Sequence, residues 1–392
     1  MSLVEILGQT MLVERLMGVG LYALAMLIAC NYLVVHGRIA ARKCLIVYAI
    51  FIGLMGFFYV PGADADLNRL LTYMHSWAEM PFNSVVDYAL TTSTPVYVLY
   101  FWFIGQFGLD GLLPGITVFI GHILTFSCLW DYMNRIKIGN KEAAWSLAFL
   151  MSTTPFIGFV SGIRNSLAFS LVFVLMYREL VMEKGLLLHI PFYIAAALMH
   201  PAALAFVLIR FVDLLFERQN SRWKQLITVC LFVAFIAVAF RYGGPYIDAM
   251  LDKGSVYATG GTYSYIWEIL IRAICLAFIV YAFLVWRRLF SLVNRDSEFY
   301  GVLGKNNLYR MVAILLIVSA LSAFFGYTVF TRSVSFLTLF APIVIMNIFK
   351  ITEEKQLQVK SFSRVLKVTT VLLLLLSCSR GNMSGYKFFK FE

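Results

Sequence analysis

Two polar residues stand at the ends of successive apolar runs between residues 161 and 201. Arg164 opens one run, and His200 closes the next. A charge at the centre of a bilayer costs at least about 2.5–3.5 kcal/mol, so such residues are normally kept for a role. A guanidinium binds anionic oxygens through a planar fork and stays charged, and an imidazole can exchange a proton near neutral pH. The pair therefore indicates anion binding and acid–base chemistry at the edge of a membrane.

The composition predicts a membrane protein. The 392 residues are 61% hydrophobic and 14% charged, whereas ordinary soluble domains carry about 25% charged residues. Runs of about 20 apolar residues recur along the chain, and a helix of that length crosses the hydrocarbon core. We therefore predict an all-α fold, a polytopic integral membrane helical bundle that forms a single transmembrane domain over residues 1–392.

About twelve transmembrane helices are predicted from these runs. The predicted spans are residues 13–35, 43–60, 113–131, 142–158, 163–182, 186–200, 201–216, 223–241, 265–287, 308–327, 331–349 and 365–379. A further apolar segment, 95–108, is short and begins at Pro95, so it spans, re-enters or lies at the interface. The first span lacks a basic leader and is too long for a signal peptide, so we expect it to be retained as an anchor.

The formal net charge of +11 carries information on topology. Most Lys and Arg residues lie in short loops between apolar runs, as they do in cytoplasmic loops of membrane proteins. The basic loops 36–43 and 131–141 share one face only if 95–108 does not cross the membrane. We therefore expect a non-crossing 95–108, with the acidic segment 61–94 and the segment 242–264 as outer loops.

Other residue patterns exclude several classes of protein. The chain has no basic helix with interleaved aromatic residues, so nucleic acid is not an expected partner. The six cysteines lack CxxC spacing and lie mostly in apolar runs, as small core residues do. His36, His75, His122 and His189 lack metal-ligand spacing with any acid or cysteine. We expect neither a metal site nor another cofactor.

The predicted topology gathers polar residues at the outer face. The segments 186–200 and 201–216 form a hairpin whose tip is His200-Pro201, since proline is tolerated at the start of a helix. The residues expected at this face are Asp64, Asp66, Asn68, Arg69, Arg164, Asn165, His200, Arg241 and Arg332.

Four short motifs, whose order and spacing extend over most of the chain, resemble the EpsG branch of the Wzy-type polysaccharide polymerases. An acidic motif reads PGADADLNR (61–69), and an arginine motif that begins a middle span reads IRNSLAFS (163–170). A histidine motif that ends the next span reads LMHPAAL (198–204), and a late arginine motif reads TRSVSFL (331–337). The family usually has Arg-Gln, His-Ser and Glu-Pro-Gly where this chain has Arg164-Asn165, His200-Pro201 and Ser93-Thr94-Pro95.

The resemblance implies a metal-independent glycosyltransferase of the bacterial cytoplasmic (inner) membrane. Such an enzyme polymerises oligosaccharide repeat units linked to undecaprenyl pyrophosphate, at the outer leaflet, into O-antigen, capsule or exopolysaccharide. The expected partners are the undecaprenyl-pyrophosphate-linked glycan donor and acceptor, membrane lipid and a chain-length regulator.

The resemblance also implies roles for the matched residues. A departing pyrophosphate develops negative charge, which guanidinium groups bind bidentately. The expected substrate-binding residues are Arg164, Arg332, Arg69, Asn165 and Arg241. The attacking sugar hydroxyl needs a general base. The candidates are His200, Asp66 and Asp64.

Each of these residues also has a purely structural interpretation. Arg164 and Arg332 could anchor helix ends by reaching to lipid headgroups. His200 could cap or pack a helix, and the two aspartates could serve only the turn that holds them. Arg241 and Arg272 could contact lipid phosphate or form packing ion pairs, and Arg272 has an acidic i−4 neighbour on its helix, which favours the ion pair.

Two other functions compete with polymerisation. A transporter of lipid-linked oligosaccharides (a flippase) should show internal repeats and interrupted helices near the membrane midplane. This chain shows no repeat, and its polar residues gather at one face, which argues against transport. An O-antigen ligase or another lipid-linked glycosyltransferase would use the same outward arginines and base, so the sequence leaves that alternative open.

Overall fold

The computed structural model describes residues 3–61, 66–154, 156–216, 230, 263–292 and 307–381. Every element of regular secondary structure in these ranges is helical, which confirms the all-α class. The helices are α1 (Leu3–Phe57), α2 (Asp66–Ala78), α3 (Phe82–Thr91), α4 (Pro95–Gly105), α5 (Leu112–Ile136), α6 (Asn140–Thr153), α7 (Phe156–Ser161), α8 (Ile163–Leu180), α9 (Ile190–Met199), α10 (Pro201–Phe216), α11 (Tyr263–Phe290), α12 (Asn307–Leu321), α13 (Tyr327–Thr338), α14 (Ala341–Glu354) and α15 (Lys360–Gly381).

The predicted count of twelve spans is not confirmed. Within the described residues five helical segments are long and apolar enough to cross a membrane, and a sixth span results if α13 and α14, bent by 41°, count as one. Several predicted spans are short helices, such as α9 with 10 residues, which covers only about 15 Å. The predicted span 223–241 and most of the predicted loop 242–264 lie outside the described residues.

A kink at Gly37 divides α1 into two spans, Gly18–Gly37 and Ala40–Phe57. Gly37 has φ +74°, and a β-carbon there would lie 2.8 Å from Nδ2 of Asn140, the first residue of α6. Only glycine combines this conformation with so close an approach. The loops 36–43 and 131–141 therefore lie at one end of the bundle, called the basic end below.

The start of α5 lies beside the end of α1, at the opposite end of the bundle. A β-carbon at Gly56 would lie 3.1 Å from the carbonyl oxygen of Pro114, so the two backbones pack closely, as small residues allow between membrane helices. The chain therefore leaves the bundle after α1 and rejoins it at α5 at the same end, called the site end below.

The helix α4 does not cross the bundle. It has 11 residues, or about 16 Å, against a hydrocarbon core of about 30 Å. It lies along α2, since Trp102 Nε1 donates to the Met80 carbonyl at 3.1 Å and Gln106 Nε2 donates to the Ala78 carbonyl at 3.1 Å. This agrees with the predicted non-crossing 95–108. The predicted outer loop 61–94, by contrast, contains two helices, α2 and α3.

A phenylalanine cluster, Phe169, Phe206 and Phe336, joins α8, α10 and α13. The ring centroids of Phe206 and Phe336 are 4.0 Å apart, and those of Phe169 and Phe336 are 5.7 Å apart. Four residues further along both chains, Phe173 of α8 meets Phe340, which lies in the turn after α13, at 4.9 Å. Because the second contact advances both chains together, α8 and α13 run parallel and begin at the same end.

A buried charge cluster, Glu179, His189, Arg210, Asp213 and Arg310, holds α8, α10 and α12 together. Arg210 donates to Glu179 at 2.8 Å and to Asp213 at 2.6 Å, and Arg310 also donates to Asp213. Tyr177, two residues before Glu179, donates to Asp131 near the end of α5. The cluster therefore lies near the basic end, far from the start of α8.

Candidate functional site

A cavity of about 290 Å³ lies at the site end, between α2, α3, α4 and α8. Small-molecule sites in proteins span about 300–1,000 Å³, so its size is just below that range. The residues that line it are Arg69, Tyr73, Trp77, Tyr88, Thr92, Thr94, Tyr97, Val98 and Arg164.

Two guanidinium groups make this cavity cationic. Arg164 lies in the first turn of α8, and its guanidinium carbon is 4.5 Å from the centroid of the Tyr97 ring on α4. Arg69 lies in the first turn of α2, where Asp66 accepts a hydrogen bond from it at 3.0 Å. Among the described residues that line the cavity, none is acidic. The cavity is therefore suited to an anionic ligand.

Aromatic rings form the other side of the cavity. Tyr73 and Trp77, four residues apart on α2, stack with centroids 5.7 Å apart. The Trp77 ring then meets Tyr97 edge-on at 5.2 Å and Tyr88 of α3 at 5.9 Å. We call Tyr73, Trp77, Tyr88 and Tyr97 the aromatic wall. It packs α2 and α3 onto α4, and so it holds Arg69 of α2 at the cavity that Arg164 also lines.

Two polar atoms at the site are buried without a hydrogen-bond partner among the described residues: the hydroxyl of Tyr97 and Oδ1 of Asn165. Burial raises the pKa of Tyr97 to about 12, and the nearby Arg164 guanidinium opposes this shift. The phenol is therefore protonated at neutral pH. A buried hydroxyl left unpaired costs about 1–3 kcal/mol, so the site holds polar groups that a ligand would satisfy.

His200 separates α9 from α10, and it caps a helix. The backbone N–H of Ala202 donates to His200 Nδ1 at 3.0 Å, so the predicted capping interpretation is confirmed. Since Nδ1 accepts a hydrogen bond, the neutral ring carries its hydrogen on Nε2. His200 is 6% exposed, and it is not among the residues that line the cavity.

Arg332 lies at the same level as Arg164. Arg164 precedes Phe169 by five residues, and Arg332 precedes Phe336 by four. At 1.5 Å per residue the two arginines stand about 7 Å and 6 Å above the phenylalanine cluster. His200 precedes Phe206 by six residues, or about 9 Å. The cluster thus brings Arg164, His200 and Arg332 to a similar height, although Arg332, the sixth residue of α13, is not among the residues lining the cavity.

The remaining predicted residues fall into three groups. Asp66 and Asn68 lie on the exposed side of the first turn of α2. Asp64 and Arg241 lie outside the described residues. Arg272 bonds across helices, since it donates to the Thr153 carbonyl at 3.2 Å. Its i−4 neighbour Glu268 accepts a hydrogen bond from Tyr327.

The sequence reasoning missed the aromatic wall. A usable signal was present in α2, where Arg69, Tyr73 and Trp77 follow one another at intervals of four residues. Such spacing places side chains on one face of a helix. The sequence gives no such signal for Tyr97, because its contact with Arg164 joins two helices that are far apart in the chain.

One comparison with known proteins gives a match. Residues 41–389 match the model of the EpsG family, a range that includes every residue of the cavity. No curated protein and no solved structure matches the chain.

Proposed function

The chain belongs to the EpsG family, whose members are membrane proteins of the polysaccharide polymerase type, and on that premise we propose the reaction that it performs. The protein transfers a growing glycan from undecaprenyl pyrophosphate onto the next lipid-linked repeat unit. It does so at the outer leaflet of the bacterial inner membrane, and the product is a polysaccharide.

The observation that carries this proposal is the pairing of Arg69 with Arg164 in one cavity at the site end. Guanidinium groups bind phosphate oxygens through charge-assisted hydrogen bonds, which are roughly twice as strong as neutral ones. The opposite end holds the basic loops, and the positive-inside rule assigns such loops to the cytoplasm. The cavity would then open to the outer leaflet, where lipid-linked repeat units are polymerised.

In the proposed reaction a hydroxyl oxygen of the acceptor sugar attacks the anomeric carbon of the donor glycan. A carbon–oxygen bond forms to the acceptor, and the bond from the anomeric carbon to the pyrophosphate oxygen breaks. The pyrophosphate departs with the bonding electron pair, and Arg69 and Arg164 stabilise its charge. Arg332, at the same height, would bind the donor from the side of α13.

The acceptor's proton needs a base, and Asp66 is the candidate that the geometry favours. Its exposed carboxylate is 3.0 Å from the guanidinium of Arg69, which lines the cavity, and an ionised carboxylate only accepts hydrogen bonds. His200, with its hydrogen on Nε2, would instead donate a hydrogen bond to substrate. Asp64, two residues before Asp66, stays a second candidate for the base.

The test is a deletion strain complemented with the wild-type gene. We expect the deletion to accumulate lipid-linked single repeats that are accessible to lectin from outside intact spheroplasts. Wild-type protein, and purified protein in nanodiscs supplied with those lipids, should convert them into a ladder of long chains. Single repeats trapped on the cytoplasmic side would identify a flippase instead. Full-length polymer that stays on the carrier lipid would identify a ligase.

A further inference from the structure

The cavity has two chemically different sides, and phosphate binding accounts for only one of them. Arg69 and Arg164 supply the cationic side. The aromatic wall supplies the other, with Tyr73 and Tyr88 each about two-fifths exposed, at 43% and 42%. Aromatic side chains with a few placed polar groups are typical of sites that bind small molecules. A free pyrophosphate would occupy only the cationic side and leave the exposed rings of Tyr73 and Tyr88 without a ligand contact.

The unpaired hydroxyl of Tyr97 indicates a polar ligand on the aromatic side of the cavity. Tyr97 is 4% exposed, and its hydroxyl has no partner among the described residues. By contrast, the hydroxyl of Tyr100, about one turn along α4, has a hydrogen-bond partner in Thr117 Oγ1 at 2.8 Å. Native proteins pair most buried polar atoms. A sugar hydroxyl beside Tyr97 would supply the missing partner.

The size of the cavity limits how much glycan it can hold. At about 290 Å³ it falls just below the range of sites for drug-sized molecules, about 300–1,000 Å³. One sugar ring with its phosphates fills such a volume, and an oligosaccharide does not. The guanidinium groups and the wall share this one space, so the ring must be the one attached to the phosphate.

From these observations we infer that the cavity binds the first sugar of the lipid-linked glycan. The apolar face of its ring packs on Tyr73 and Tyr88, a ring hydroxyl bonds Tyr97, and its pyrophosphate lies on Arg69 and Arg164. This inference rests on the proposed function and adds a specificity determinant to it. The protein recognises the sugar next to the carrier lipid, and sugars farther along the repeat extend out of the cavity.

The inference is tested by binding to purified protein in nanodiscs. The ligands are farnesyl pyrophosphate and three derivatives in which it carries one glucose, one galactose or one N-acetylglucosamine. We expect at least one derivative to bind five-fold or more tightly than farnesyl pyrophosphate itself. Tyr97→Phe should reduce that preference about two- to ten-fold, the range of one net hydrogen bond, without changing the affinity for farnesyl pyrophosphate.

Two further variants distinguish the contribution of the aromatic wall to binding from that of the guanidinium groups. Tyr88→Ala removes an exposed ring, so it should reduce the same preference without unfolding the protein. Arg164→Ala should weaken all four ligands by the same factor. Tyr100→Phe is the matched control, since it removes a hydroxyl from the same helix outside the cavity, and it should leave the preference unchanged.

The results separate the two proposals. Equal affinities for all four ligands in wild-type protein would overturn the sugar site and leave the proposed function standing. A sugar preference that survives both Tyr97→Phe and Tyr88→Ala would overturn it as well. Wild-type protein that binds none of the four ligands would contradict the donor site on which both proposals rest.

Discussion

The guanidinium of Arg164 lies over the ring of Tyr97, 4.5 Å from its centroid. This contact connects the first turn of α8 to α4, a helix that does not cross the bundle. A cation over an aromatic face gains about 0.5–2 kcal/mol, more where water is excluded, and the contact leaves the N–H groups at the edge of the guanidinium able to bind a ligand. The arrangement explains how a charge at the start of an apolar helix is held at the cavity.

The topology predicts a labelling pattern in a variant whose native cysteines have been replaced. Ser84→Cys on α3 and Leu109→Cys after α4 should both react with an impermeant thiol reagent in intact cells, because 58–111 lies at the site end. Lys137→Cys, at the basic end, should react only after permeabilisation. Strong labelling of residue 137 from outside would contradict this topology.

Arg164→Ala should reduce polymerisation in purified protein about 10- to 100-fold, because charged hydrogen bonds contribute about 1.5–3 kcal/mol each. Arg164→Lys should also be impaired, since lysine lacks the planar fork. Arg332→Ala should show a similar loss. Arg178→Ala, an exposed position at the other end of α8, is the control and should keep wild-type activity. Ladders of normal length in both Arg164→Ala and Arg332→Ala would refute the donor role.

Substitutions of His200 separate its two nitrogen atoms. His200→Asn keeps an acceptor near the position of Nδ1 and should preserve the cap, which contributes about 1 kcal/mol. His200→Gln places an amide donor near Nε2, so it should retain at least a tenth of the polymerising rate. His200→Ala loses both and should be slower by about 10²-fold. If His200→Gln is as slow as His200→Ala, the imidazole acts as a base and Asp66→Asn should be the milder change.

Phe336→Ala should destabilise the protein and misplace Arg332. Truncating a buried phenylalanine costs about 3–5 kcal/mol, and Phe336 is fully buried between Phe169 and Phe206. We expect a lower thermal unfolding temperature in detergent and a weaker affinity for farnesyl pyrophosphate. Phe324→Ala, at a side chain that is 86% exposed, should change neither quantity. Unchanged stability in Phe336→Ala would show that the phenylalanine cluster does not hold α13.

Arg210→Ala should reduce the stability of the folded protein more than the truncation of an exposed arginine does. Removing one partner from a buried ion pair costs about 3–5 kcal/mol, because the opposite charge is left buried and unpaired. Here Glu179 and Asp213 would both lose a donor. The expected result is a low yield of folded protein on size-exclusion chromatography. Arg287→Ala, at an exposed site near the basic end of α11, is the matched control, and equal yields would argue against a stabilising role of the buried charge cluster.

The sequence alone determined the class of protein, its family and the end of the bundle that carries the site. Hydropathy, loop charge and the order of short motifs are properties of the sequence itself, so they can be recognised without knowledge of helix packing. They predicted that Arg69, Arg164 and Arg332 share one face and that 95–108 does not cross. The predicted count of twelve spans is not confirmed, because an apolar segment does not reveal whether it forms a full crossing or a short helix packed within the bundle.

Only the tertiary structure decided which residues share a cavity. Arg69 and Arg164 are 95 residues apart in the chain. They line one cavity because Trp77 of α2 packs on Tyr97 of α4, and the Arg164 guanidinium lies over the Tyr97 ring. The sequence also does not show that His200 Nδ1 accepts a hydrogen bond from the Ala202 amide. Such a cap depends on the backbone angles at the break between two helices. Helix periodicity determines which face of a segment is apolar, but the height and rotation of neighbouring helices follow from contacts such as Phe169 with Phe336, which no single segment contains.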